Sequence, residues 1–204
     1  PRLIVLAPAI LLIALLVFIV MHLPRFGKLP SGDRLARIKK SPNYKEGAFR
    51  NQYETPVFTA SGMKDFFSQK RIRTTPESAI PSVKTELLQL SRDQDVLVWF
   101  GHSSYFIQVD GLRFLIDPVL SGHASPFPFA VKAFEGADLY KPEDIPEIDY
   151  LIITHDHWDH LDFKTLTALR PKIGNVICGL GTGAHLERWG YGPAQITELD
   201  WYDK

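Results

Sequence analysis

The chain of 204 residues has one cysteine, no net charge and no serine-nucleophile motif, and each shortage removes a class of function. A single cysteine, Cys178, excludes an internal disulfide. It lies in the apolar run Val176-Ile177-Cys178, which predicts a buried, inert thiol. Lysine plus arginine number 23 and aspartate plus glutamate 23, so no overall field favours a nucleic-acid partner. There is no Gly-x-Ser-x-Gly elbow, and the glycine-rich stretch 179–183 lacks the Gly-Lys-Ser/Thr ending of a phosphate loop. Residues 24–80 lack a long periodic element and carry Pro, Gly, Ser and Asn throughout, as in Pro30-Ser31-Gly32 and Ser41-Pro42-Asn43.

One further absence is local. Leu3–Val20 contains no charged residue, and apolar character continues to Leu23. As a helix this run is about 31 Å long, close to the hydrocarbon thickness of a bilayer. No small-x-small cleavage site follows it, so a membrane anchor over residues 1–23 is expected rather than a signal peptide. From Arg25 to Arg50 there are eight Lys/Arg against two acids. By the positive-inside rule the following domain lies on the cytoplasmic side. The same charges suit anionic headgroups, at about 1 kcal/mol each near the surface. The expected organisation is an anchor over 1–23, a basic juxtamembrane linker and extension over 24–81, and a catalytic domain over 82–204.

What the sequence does have is concentrated at Thr154-His155-Asp156-His157-Trp158-Asp159-His160. Three of the seven histidines fall here. The run follows Tyr150-Leu151-Ile152-Ile153, which reads as a buried strand, so the cluster sits where a strand stops. In extended chain, residues two apart point the same way, about 6–7 Å apart. His155 and His157 can therefore aim at one ion, and Asp159 and His160 can reach a second. Imidazole with carboxylate suits zinc, and also iron or manganese. The alternative, a solvated His-rich loop, has no use for the strand context.

Earlier in the chain, Ser82–Ser91 fits a helix capped by Ser82. Val96–Phe100, Tyr105–Val109 and Leu112–Ile116 read as strands, the last two joined by the hairpin turn Asp110-Gly111. Residues 120–147 show no regular element, with Phe127, Phe129 and Phe134 either rimming a site or packing on the core. Asp162 can cap a helix over 163–170. A strand at Val176–Cys178, a short helix at Ala184–Trp189 and a strand from Ile196 follow. His123 has no assigned role, and His185 is expected to be structural.

The cluster resembles the H-x-H-x-D-H signature of the metallo-β-lactamase superfamily. Its flanks, Ile148–Thr154 and Leu161-Asp162, resemble the branch of N-acyl-phosphatidylethanolamine-hydrolysing phospholipase D and the bacterial sugar-phosphate lactonases. So do Gly101-His102-Ser103-Ser104 and the strand end Ile116-Asp117-Pro118. Asp156 and Trp158 stand where the animal enzymes of that branch have Asn and Tyr. The resemblance implies an α/β (α+β) fold, the first half of an αββα sandwich, here preceded by the transmembrane helix. It implies two divalent metal ions, with His155 and His157 on the first and Asp159 and His160 on the second. Asp117 is implied as an outer carboxylate that orients a ligating imidazole, and His102 as a weaker supporting residue.

The implied activity is metal-dependent hydrolysis by a metal-activated water held at Asp159 and His160. The substrate would be a phospholipid or other phosphate ester, N-acyl-phosphatidylethanolamine-like, met at a membrane. The alternatives are a sugar-phosphate lactonase using the same metals, or a membrane-tethered protein without catalysis. The family pattern has three more ligands downstream of these four. The chain is therefore expected to be an N-terminal piece that by itself binds metal weakly and hydrolyses little.

Overall fold

The structure is a computed structural model and describes residues 2–53, 59–68 and 74–203. Five helices occur among these residues: α1 (Arg2–Met21), α2 (Gly32–Lys40), α3 (Ala60–Ser68), α4 (Phe163–Leu169) and α5 (Gly183–Arg188). A two-residue hairpin, β1 (Tyr44–Lys45) with β2 (Ala48–Phe49), precedes the main sheet. That sheet has six strands in chain order: β3 (Val96–Gly101), β4 (Ser104–Val109), β5 (Leu112–Ile116), β6 (Ile148–Ile153), β7 (Ile173–Gly179) and β8 (Ile196–Leu199).

The pairing changes character half-way. β3, β4 and β5 are antiparallel neighbours, whereas β5 through β8 run parallel. The β4–β5 hairpin turns at Asp110 and Gly111, both at positive φ (51° and 77°), the conformation a two-residue turn of this hand requires. Parallel strands need long crossovers, and two of these carry α4 and α5. The architecture is thus mixed α/β around one central sheet, as expected, with strands where the apolar runs predicted them.

The core lies on one face of the sheet. Phe106, Leu115, Leu151 and Val176 are fully buried there and pack with Leu166 and Leu169 of α4 and Leu186 of α5. Cys178 is in the same cluster, and burial pushes its thiol up to about 12, which keeps it protonated. The opposite face is also apolar but open. One row across it runs Trp99, Tyr105, Ile116, Ile152 and Ile177; Trp99 is 62% exposed.

Two expectations need correction. Ser82–Ser91 is not an α-helix: only Leu87–Gln89 forms a 3-10 turn. Ser82 instead donates to Ile80 O and Gly136 O, and the Thr85 N–H donates to the Tyr140 hydroxyl, so the segment is tied to the long loop rather than to itself. The spanning anchor also lacks support. α1 forms, but among the described residues no helix is long and apolar enough to cross a membrane.

The extension between α1 and residue 53 is folded onto the domain. Arg34 bridges Glu187 (2.7 Å) and Glu198 (3.0 Å), Arg37 donates to Glu198 O, and Asn43 donates to Asp200. The Trp189 indole N–H donates to Pro24 O. Two of the arginines that read as a free basic stretch are therefore engaged by α5 and β8, Arg34 by their carboxylates and Arg37 by the Glu198 carbonyl.

Candidate metal centre

The parallel strands deliver their ends to one edge of the sheet. Asp117 follows β5, Thr154 to His160 follow β6, and Leu180 to Thr182 follow β7. β4 runs antiparallel to β5, so the turn before it, with Gly101 at φ 112° and His102 at φ 45°, comes to the same edge. Strand ends at such an edge are where open α/β sheets hold ligands.

Asp117 is the buried base of the site, at 1% exposure. Its N–H donates to Ile152 O at 3.0 Å. Its Oδ1 accepts from the Thr154 N–H at 2.8 Å, and its Oδ2 accepts from the Thr154 hydroxyl at 2.6 Å and from His160 Nδ1 at 2.7 Å. An ionised carboxylate only accepts, so the protons must lie on Thr154 Oγ1 and His160 Nδ1. In the neutral imidazole, the form that binds a metal, this leaves the His160 Nε2 lone pair as the ligating one. The same logic passes through Thr154: its hydroxyl proton is committed to Asp117, so its oxygen accepts from His155 Nδ1 at 3.1 Å. His155 Nε2 is then bare as well, and it faces His157 Nδ1 at 3.1 Å.

Asp159 completes the front of the site. Its Oδ2 lies 3.0 Å from His102 Nε2 and 3.6 Å from His160 Nε2. Ligand atoms of His102, Asp159 and His160 all fall within 4.8 Å of one another. The His155 and His160 rings are 3.8 Å apart between centroids. Burial, with His160 and His157 nearby, holds His155 below the ordinary histidine range. For Asp159 burial acts upward, but its own backbone N–H together with His160 and His102 outweighs this and keeps the carboxyl low. Neutral imidazoles with bare Nε2 atoms beside an ionised carboxylate are the form in which these groups bind a divalent ion. The donor set therefore fits one.

The structure gathers all six sequence-predicted residues at this edge. His102, read as a supporting residue, stands in the front row beside Asp159, while Asp117 lies behind. His123 is elsewhere, with Nδ1 on Ser125 O and Nε2 facing Lys164. His185 accepts the Lys28 N–H through Nδ1 and packs against Gly27. Thr154 was missed: a hydroxyl between a strand and a metal-type motif carries no signal until its partner, far back in the chain, is located. Two cavities flank the cluster. One, of about 670 Å³, reaches Thr154, His155 and Asp156; the other, of about 530 Å³, reaches His102 and Asp159 from under the long loop.

Comparison with known proteins agrees with this geometry. Residues 112–204 match the family described as "Beta-lactamase superfamily domain". The likeness to that superfamily therefore takes in β5 to β8 and the whole His/Asp cluster. Among curated relatives, an uncharacterized protein of Mycobacterium tuberculosis is 32% identical over 80% of this chain and 45% of its own. N-acyl-phosphatidylethanolamine-hydrolyzing phospholipase D 1 of Caenorhabditis elegans is 33% identical over 50% of this chain and 30% of its own. The 4-amino-L-phenylalanyl-[CmlP-peptidyl-carrier-protein] 3-hydroxylase of Streptomyces venezuelae is 42% identical over 50% of this chain and 18% of its own. The chain thus spans less than half the length of these curated relatives.

Proposed function

We propose that the complete protein is a metal-dependent hydrolase, a phosphodiesterase of phospholipase D type acting on N-acyl-phosphatidylethanolamine-like lipids. The observation that carries the reading is the relay from buried Asp117 through Thr154 and His160, which fixes two imidazoles by their Nδ1 atoms and turns both Nε2 atoms, that of His155 toward His157, into the cluster. In this reading His155 and His157 hold one divalent ion and Asp159 and His160 a second, with His102 beside Asp159. Zinc suits the donors, and iron or manganese would be accepted by the same nitrogen and oxygen set. When bound, such an ion polarises an ester oxygen and lowers the pKa of a coordinated water. The residues themselves do the positioning. Asp117 holds His160 in one tautomer, and Thr154 holds His155. His102 Nε2, 3.0 Å from Asp159, can fix that carboxylate in place. The likeness to the Caenorhabditis phospholipase and the exposed apolar side chains from Ile10 to Met21, which suit a lipid surface, support the substrate class. Headgroup release from N-acyl-phosphatidylethanolamine by the complete, zinc-loaded protein is the test. Activity is expected and should fall to background in His157→Ala; equal activity in the variant would sink the reading.

A second reading has its own support. Identity to the Streptomyces hydroxylase is higher, at 42%. Oxidation at the same centre would consume dioxygen where hydrolysis consumes none, so an oxygen electrode separates the two.

A further inference from the structure

The cavity on the His155 side is not made by the superfamily-matched segment alone. One wall consists of residues after β7 and β8, including Leu180 and Trp201. The other is the N-terminal extension, with Leu35, Ile38 and Phe49 facing inward. Its volume of about 670 Å³ lies inside the range of small-molecule sites, roughly 300–1,000 Å³. The polar residues that reach it are Thr154, His155 and Asp156 of the metal cluster, His185 beside Asp156, Thr182, Tyr44, and Asp200, whose carboxylate is held by Asn43. A sugar phosphate would need cationic and hydrogen-bonding partners along its whole length. Arg34 and Arg37, the arginines of α2, are turned away onto Glu187 and Glu198. Walls that are mostly aliphatic and aromatic, with the metal cluster at one end, suit a ligand with an apolar body and a polar head.

We propose that the N-terminal extension is a selecting wall: with Leu180 and Trp201 it closes an apolar pocket that takes an aliphatic acyl chain and presents the chain's polar end to His155. The proposal rests on the hydrolytic reading of the cluster, but its geometry belongs to the extension. Phe49 and Trp201 are in ring contact, with centroids 5.7 Å apart, and Tyr44 packs on Phe49 at 5.2 Å, so an aromatic strip runs along the mouth. Arg34 sets the distance between the walls by its hold on both Glu187 and Glu198.

Terminally brominated dodecanoate tests this without catalysis, because bromine quenches tryptophan fluorescence only near contact. The chain has four tryptophans, of which Trp201 lines this pocket and Trp99 lies on the open sheet face. Saturable quenching is expected in the native chain, retained in Trp99→Phe and lost in Trp201→Phe. Phe49→Asp, at an exposed hairpin, is expected to raise the apparent Kd at least about tenfold, or ~1.4 kcal/mol. Absence of quenching overturns the proposal. So does quenching that disappears in Trp99→Phe, which would put the chain on the sheet, or an unchanged Kd in Phe49→Asp. No metal or turnover enters the measurement, so failure here is separate from failure of His157→Ala to abolish hydrolysis.

Discussion

The two faces of the central sheet are built from alternate residues of the same strands and have met different fates. On one, Val98, Phe106, Leu115, Leu151 and Val176 form a cross-strand row, of which all but Val98 are buried beneath α4, α5 and the long loop. On the other, Trp99, Tyr105, Ile116, Ile152 and Ile177 form an equally apolar row in which no residue is fully buried and Trp99 is 62% exposed. A sheet meant to face water alternates apolar with polar; a sheet meant to lie between two layers is apolar on both sides. The strands here are of the second kind. The resemblance to an αββα sandwich supplies a matching proposal, that a second layer packs on the open face in the complete protein.

The largest expected effect compares neighbours on the two faces. Leu151→Ala should cost about 2–5 kcal/mol in urea unfolding, as for other fully buried leucines, whereas Ile152→Ala should cost less than half as much. Equal losses would mean the faces do not differ. The covered side continues past the strand end into Asp117, which reaches His160 from below. Asp117→Asn should weaken zinc binding by ~10–100-fold in calorimetry, since the amide can donate where the carboxylate only accepts. Affinity unchanged by the substitution would detach Asp117 from the metal centre.

Acidification acts on the site edge more gently. His155 and His185 are both held below the ordinary range by burial, so the folded state resists their protonation. Their effect on stability is nil above the unfolded value of about 6.5 and grows unfavourable as pH falls through it. Tm should therefore be lower at pH 5.5 than at 7.5, and His185→Gln should narrow the gap; a gap of the same size in the variant would remove His185 from the account. The smallest effect on stability belongs to the open face. Trp99→Ser should change unfolding free energy by only about 0.5 kcal/mol yet reduce binding of an apolar-surface dye, and undiminished dye binding would place the sticky surface elsewhere.

These contrasts also explain what the amino-acid sequence disclosed. Strands were legible because their apolar runs are uninterrupted, and the β4–β5 turn because Asp110-Gly111 has a backbone demand of its own. The metal-type cluster was legible because His155, His157, Asp159 and His160 are contiguous. Ser82–Ser91 misled because its apolar spacing looked helical, while Val83 is in fact 88% exposed and the chain bonds outward to residues 136 and 140. The docking of the extension was illegible for a different reason. The partners of Arg34 lie more than 150 positions away, and no local pattern encodes a contact at that separation.

That separation bears on how the chain is made. Every strand of the main sheet pairs with the strand synthesised just before it, so β3 to β8 can assemble in the order they leave the ribosome. Arg34 cannot follow that order, because Glu198 is translated 164 residues later. At ordinary elongation rates this is a wait on the order of ten to thirty seconds. Through that interval the extension can be held only near Arg25 and Phe26, by Pro126, Phe127 and Trp158, while α2 lacks its partners on α5 and β8. The acyl-chain pocket is consequently the last part of the site to exist, and the nascent chain is most open to chaperones, or to a lipid surface, before it does.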